Sequence, residues 1–257
     1  MRRASPARKP RLLHHTSVAV AVFALTAVVA GCGTTQQVKV KDDQSYCPFL
    51  GSSLCAKLTA TDTPGRFSGE AVTGSPNTQA ALRYVNPNAK WTQYTKVMIA
   101  PVTFWGSDDT KVSAEDQQKL TNYFHQAIQQ QLSTKFQVVD QPGPSVMNVQ
   151  VALEDASGAI PVLRSVSMVI PQARALATLK YAATGTYAFV GSAQAEAKVT
   201  DSVTGQVLAA AVDKRVGGGS IKSAAQWQWG DAENAMTAWA QQLTTRLSSW
   251  TSGATPS

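Results

Sequence analysis

The sequence predicts an α/β (α+β) sandwich, with two main helices packed on a mixed or antiparallel sheet of about four to five strands. Three observations predict it. A helical apolar stripe follows a capping signal at Ser113, and a second stripe runs from about Asp231 to Trp250. Between them, residues 146–153 alternate with strand period. Residues 193–212 read as two strands around a turn.

The folded core begins near Ala80. Leu82, Tyr84 and Val85 predict a strand closed by Asn86-Pro87-Asn88. Lys96 to Phe104 is a nearly continuous apolar run, as expected of a buried strand. Pro101 within it marks an edge, a bulge or a strand end. Ser113-Ala-Glu-Asp116 has the form of a capping box. Leu120, Tyr123, Phe124, Ala127, Ile128 and Leu132 follow at helical spacing, with glutamines filling most of the other faces. Phe136 to Val139 is a short strand, and Val146 to Leu153 a longer one. Ala195, Ala197 and Val199 share one face of the next strand. Asp201-Ser-Val-Thr-Gly205 is a turn, and Val207 to Val212 returns as the second arm of a hairpin. Ala232, Met236, Trp239, Leu243, Leu247 and Trp250 line one face of the last helix.

The first residues carry an address. Arg2, Arg3, Arg8, Lys9 and Arg11 precede the apolar run Val18 to Ala30, the order of a secretory signal peptide. The run is shorter than the roughly 20 apolar residues a spanning helix needs. Val29-Ala30-Gly31-Cys32 resembles a bacterial lipobox. The resemblance implies cleavage before Cys32, diacylation of its thiol and attachment to a membrane. Gly33, rather than an aspartate, then favours the outer membrane of a Gram-negative envelope, with the protein facing the periplasm.

Of the 23 basic residues, five lie in this leader, which leaves 18 against 16 acidic residues and a net charge of only +2. Such a balance, without a long basic run, argues against nucleic acid as a partner. The predicted organisation is a signal peptide over 1–31, a flexible tether over 32–45 and a disulfide-linked extension and loop over 46–79. A single domain over 80–250 and a frayed tail over 251–257 complete it.

Cys47 and Cys55 remain once Cys32 takes lipid. In an oxidising compartment they are expected to form a disulfide, the alternative being two separate thiols. Their spacing and the lack of a nearby histidine do not suit zinc, and no cofactor is expected.

Candidate chemistry is sparse. His125 is the one histidine beyond the leader and reads as structural. The adjacent acids Asp108-Asp109 and Glu154-Asp155 read as solvated loop charges. Gly217-Gly-Gly-Ser-Ile-Lys222 lacks the Gly-Lys-Ser/Thr ending of a phosphate loop and reads as a connection. Residues 162–181 mix apolar residues with Arg164, Arg174 and Lys180, contain no acid and are interrupted by Pro171. They suit either an amphipathic docking segment or a core crossover helix. With Trp227 and Trp229 these three cations make the candidate partner surface. Trp239 and Trp250 belong to the core stripe.

Tyr84-Val-Asn-Pro-Asn, Lys96 to Trp105, Ala183 to Val190, Asp201 to Asp213 and Trp229-Gly-Asp-Ala-Glu together resemble a bacterial lipoprotein family, domain of unknown function 3313. The resemblance implies no catalytic residues. The expectation is therefore a non-enzymatic accessory module, anchored through Cys32 and touching another envelope protein. The alternatives are a periplasmic hydrolase without a recognisable motif, requiring a cleft that joins His125 to a carboxylate and a serine, and a small-ligand binder, requiring an enclosed apolar cavity.

Overall fold

A computed structural model describes residues 1, 35–38, 47–60, 80–106, 110–158, 191–217 and 228–256. The chain divides into two units, Met1–Cys32 and Gly33–Ser257. The fold below is that of the second unit.

Among the described residues nine strands form one sheet: β1 (Thr35–Val38), β2 (Thr59–Ala60), β3 (Leu82–Val85), β4 (Lys96–Ile99), β5 (Thr103–Phe104), β6 (Gln137–Val138), β7 (Val146–Ser157), β8 (Ser192–Asp201) and β9 (Val207–Gly217). Three α-helices accompany them among the described residues: the single turn α1 (Ser52–Cys55), then α2 (Ala114–Leu132) and α3 (Gly230–Thr251). The sheet order is β2-β3-β9-β8-β7-β4-β6, with β1 also on β9 and β5 also on β7. β4 runs parallel to β6 and β7, and β5 parallel to β7, while the other pairs are antiparallel. The mixed α+β class is as expected, but four to five strands understates the sheet. A two-residue strand such as β2 is too short to produce a period.

The predicted strand Lys96 to Phe104 divides at Pro101 into β4 and β5. Both pair with β7, but proline has no N–H with which to continue the ladder. Thr35–Val38 corrects the tether reading: these residues pair with Lys214–Gly217 of β9. Backbone hydrogen bonds hold such an edge strand, and no apolar pattern is needed to form it.

The Ser113 hydroxyl accepts the Asp116 N–H at 3.1 Å, as the capping signal predicts. Leu120, Phe124, Ile128 and Leu132, four residues apart, bury the resulting stripe. α3 buries Ala232, Met236, Trp239, Leu247 and Trp250. It closes with Gly253 at φ 95°. There the N–H groups of Gly253 and Ala254 donate to the carbonyls of Trp250 and Ser249.

Strand register separates the sheet into two faces. Val149, Val151 and Leu153 of β7 stand beside Val199, Ala197 and Ala195 of β8. These in turn stand beside Ala209, Ala211 and Asp213 of β9. This face, with α2 and α3, forms the main core. The opposite face offers Leu82, Ala210 and Val212, which pack with Cys47, Leu50 and Cys55 in a second, smaller core. Cys47 and Cys55 are joined by a disulfide, with Cα atoms 5.9 Å apart. Residues 47–60 thus form a covalently closed cap on the face away from the long helices.

Candidate functional site

Alanine-rich strands create the most conspicuous feature of the helical side. Ala195, Ala197, Ala209 and Ala211 present methyl groups where larger side chains would reach α3. A cavity of about 130 Å³ remains between sheet and helices. Phe124, Ile128, Val151 and Leu247 form its buried walls, and Trp239 and Trp250 also line it. Its half-exposed rim carries Arg83, Gln242, Leu243 and Arg246. Burial lowers the Arg83 pKa from its ordinary value, and the neighbouring Arg246 charge lowers it further. Two cations therefore share one edge of an otherwise apolar chamber.

Beside the cavity, Asp213 occupies the point where the neighbour of β9 changes from β3 to β1. β3 pairs with Ala209–Val212, and β1 with Lys214–Gly217. The buried Asp213 carboxylate accepts from the Ala81 N–H at 2.9 Å, the Trp239 indole N–H at 2.6 Å and Arg215 Nε at 3.1 Å. Gln37 Nε2 donates to it as well. Arg215 also donates to Gln242 Oε1 at 3.1 Å. One carboxylate thereby ties β1, the residue that leads into β3, and α3 to β9.

A second buried acid group lies on the opposite face. Glu196, 0 % exposed, accepts the N–H groups of Phe49 and Leu50 at 3.1 and 2.8 Å. Glu154 adjoins it at a register shift between β7 and β8, and Gln194 Nε2 donates to Glu154. Burial first, and then hydrogen bonding and charge from Glu196, push Glu154 from 4.5 up to about 9. A proton retained on Glu154 makes the carboxyl pair compatible with burial. This corrects the reading of Glu154 as a solvated loop charge, because it is 6 % exposed within a long strand. Asp155 is exposed, as expected. Asp108 and Asp109 lie outside the described residues.

Where the cap meets solvent, Phe49 packs edge-on against Trp105 with centroids 5.9 Å apart. Lys198 Nζ lies 4.6 Å from the Phe49 ring centroid. Trp105 is 45 % exposed.

Other expectations separate on inspection. Trp229 is 5 % exposed and belongs to the main core, so it is corrected from a surface residue to a packing residue. Trp227, Arg164, Arg174, Lys180 and Cys32 lie outside the described residues. His125 is half-buried on α2, and its Nδ1 has no hydrogen-bond partner among the described residues. The Glu154–Glu196 pair sits on the other face of the sheet, so these acids do not converge with His125. Among the described residues no acidic, histidine and cysteine cluster could hold a metal. Sequence reasoning missed Glu196, Asp213 and Arg215. One signal was available: Asp213 and Arg215 are opposite charges two apart, a spacing that puts both on one face of a strand.

These features define an open mixed-sheet α+β domain, with long helices and a cavity on one face and a disulfide-closed cap on the other. The chain belongs to the family described as "Protein of unknown function (DUF3313)", whose model matches residues 70–243, more than half its length. No curated protein matches it. Among solved structures, it is similar to the PelC dodecamer from Paraburkholderia phytofirmans at 8% identity and a TM-score of 0.35, covering 62% of this chain and 94% of that one. It is also similar to protein XCC0632 of Xanthomonas campestris, of family DUF330, at 12% identity and a TM-score of 0.33, covering 62% and 88%. Overlap this slight carries no functional argument.

Proposed function

We propose that the protein is a lipid-anchored, non-enzymatic module of a Gram-negative envelope. In this reading it is cut before Cys32, held by acyl chains on that residue and placed on the periplasmic side of the outer membrane. It acts there by contact with another envelope protein. Arg164, Arg174, Lys180 and Trp227 remain its candidate contact residues. The observation that carries the reading is Val29-Ala30-Gly31-Cys32 after a basic start and a short apolar run. Among the described residues no helix is long and apolar enough to cross a membrane.

Cys32→Ala tests the anchor. The variant is expected to lose acyl labelling and to leave the membrane fraction, or to accumulate as an uncut precursor. Unchanged acylation would refute the assignment of Cys32.

A second reading, binding of a small apolar ligand, is favoured by the alanine-walled cavity. Its volume of about 130 Å³ is close to that of the ~150 Å³ apolar cavity known to stay dry and admit benzene.

A further inference from the structure

We infer that the cavity between the alanine face of the sheet and α3 binds a single-chain anionic amphiphile, with its chain against Trp239 and its head between Arg83 and Arg246. The inference rests on the ligand-binding reading and adds the ligand class.

Two separate observations meet at this place. The chamber walls are apolar, so water within it would find too few hydrogen-bond partners, whereas an alkyl chain would recover contacts with the alanine methyls and the indoles. Among the described residues, the charged side chains of the rim are both cations. Arg83 and Arg246 both line the cavity, and each raises the local positive potential felt by the other. An anionic head shared by both guanidiniums relieves that repulsion and adds charge-assisted hydrogen bonds, alongside whatever contacts the arginines already make. The Asp213 carboxylate, the acid that lines the chamber, is engaged by Arg215, the Trp239 indole and two further donors. Its charge is thus already met by donors inside the fold. A neutral chain would satisfy the walls alone, and a small anion the rim alone. A carboxylate or phosphate on an alkyl chain satisfies both.

Tryptophan fluorescence reads the chain directly, because bromine quenches an indole it touches. Terminally brominated hexanoate, whose chain suits a cavity of about 130 Å³, is expected to quench the full-length protein, and brominated hexanol to bind roughly tenfold more weakly. Arg83→Gln combined with Arg246→Gln should remove that preference. Ala197→Leu should fill the chamber and abolish quenching by both probes. Ala211→Val, at a half-exposed position, serves the same purpose if Ala197→Leu fails to fold, as judged by circular dichroism. Equal quenching by acid and alcohol in the wild type would overturn the anionic assignment and leave an apolar-ligand cavity. Quenching by neither would overturn both.

A bilayer lipid carries the same head chemistry. Vesicles containing phosphatidylglycerol with brominated chains should therefore quench less than the free acid. Vesicle quenching that survives Ala197→Leu would mean surface adsorption and would overturn the cavity assignment.

Discussion

Asp213→Ala is expected to lower stability by about 3–5 kcal/mol, the usual consequence of removing one partner from a buried ion pair. Arg215 would remain buried without its carboxylate, and the Trp239 indole N–H and the Ala81 N–H would lose their acceptor. The loss should be largest where these groups meet, at β1, the start of β3 and the middle of α3. Urea denaturation measures the total, and hydrogen exchange at Ala81 and around β9 locates it. Asp213→Asn keeps the shape and an acceptor oxygen but not the charge, so its loss should be intermediate. An Asp213→Ala variant within about 0.5 kcal/mol of wild type, the range of ordinary surface substitutions, would contradict the pinning role.

Glu154→Gln is expected to stabilise the domain in alkaline solution. With a folded pKa raised from 4.5 to about 9, wild-type Glu154 holds a proton in the native state that the unfolded chain releases. Its contribution is fully present below pH 4.5 and is lost as pH rises through about 9. The slope over that window is at most about 1.4 kcal/mol per pH unit. A glutamine at 154 can donate to Glu196 and accept from Gln194 without titrating. Denaturation curves for the two proteins should therefore converge near pH 4 and separate towards pH 9, with the variant the more stable. Parallel curves across that range would show that Glu154 is not the titrating group.

How far the sequence disclosed this architecture depended on whether an element satisfies itself with side chains or with backbone. α2 was legible in full, because Ser113 caps it and its buried stripe repeats every four residues. α3 was legible to within a residue at each end. The hairpin was legible in its turn, where Asp201 accepts the N–H groups of Val203 and Thr204 and Gly205 adopts φ 70°. Its arms were read too short. Asp213, Lys214 and Arg215 suggest solvent, yet β9 continues through them to Gly217 because Asp213 and Arg215 neutralise one another inside the fold. β1 and β2 were not legible, because edge pairing rests on main-chain groups that every sequence has.

The candidate site was legible only as scattered alanines and arginines. Ala195 and Ala197 mark one strand face, but the space above them depends on which side chains α3 brings down. Arg83 and Arg246 are 163 positions apart in the chain, and nothing in either neighbourhood announces the other. Gly217 illustrates the same limit. It reads as the start of a flexible run, whereas a Cβ there would collide with the Asp231 carboxylate. That carboxylate in turn accepts the Gly191 N–H at 2.8 Å. The address is the opposite case. The proposed leader and Val29-Ala30-Gly31-Cys32 are read linearly, by charge, apolar length and small residues, and depend on no contact in the fold.

The measurement that tests the central proposal most directly is the intact mass of the native protein extracted from its membranes. The chain is expected to begin at Cys32 and to carry a diacylglyceryl group on that residue. A chain that still bears residues 1–31, or one that begins elsewhere without lipid, would contradict it.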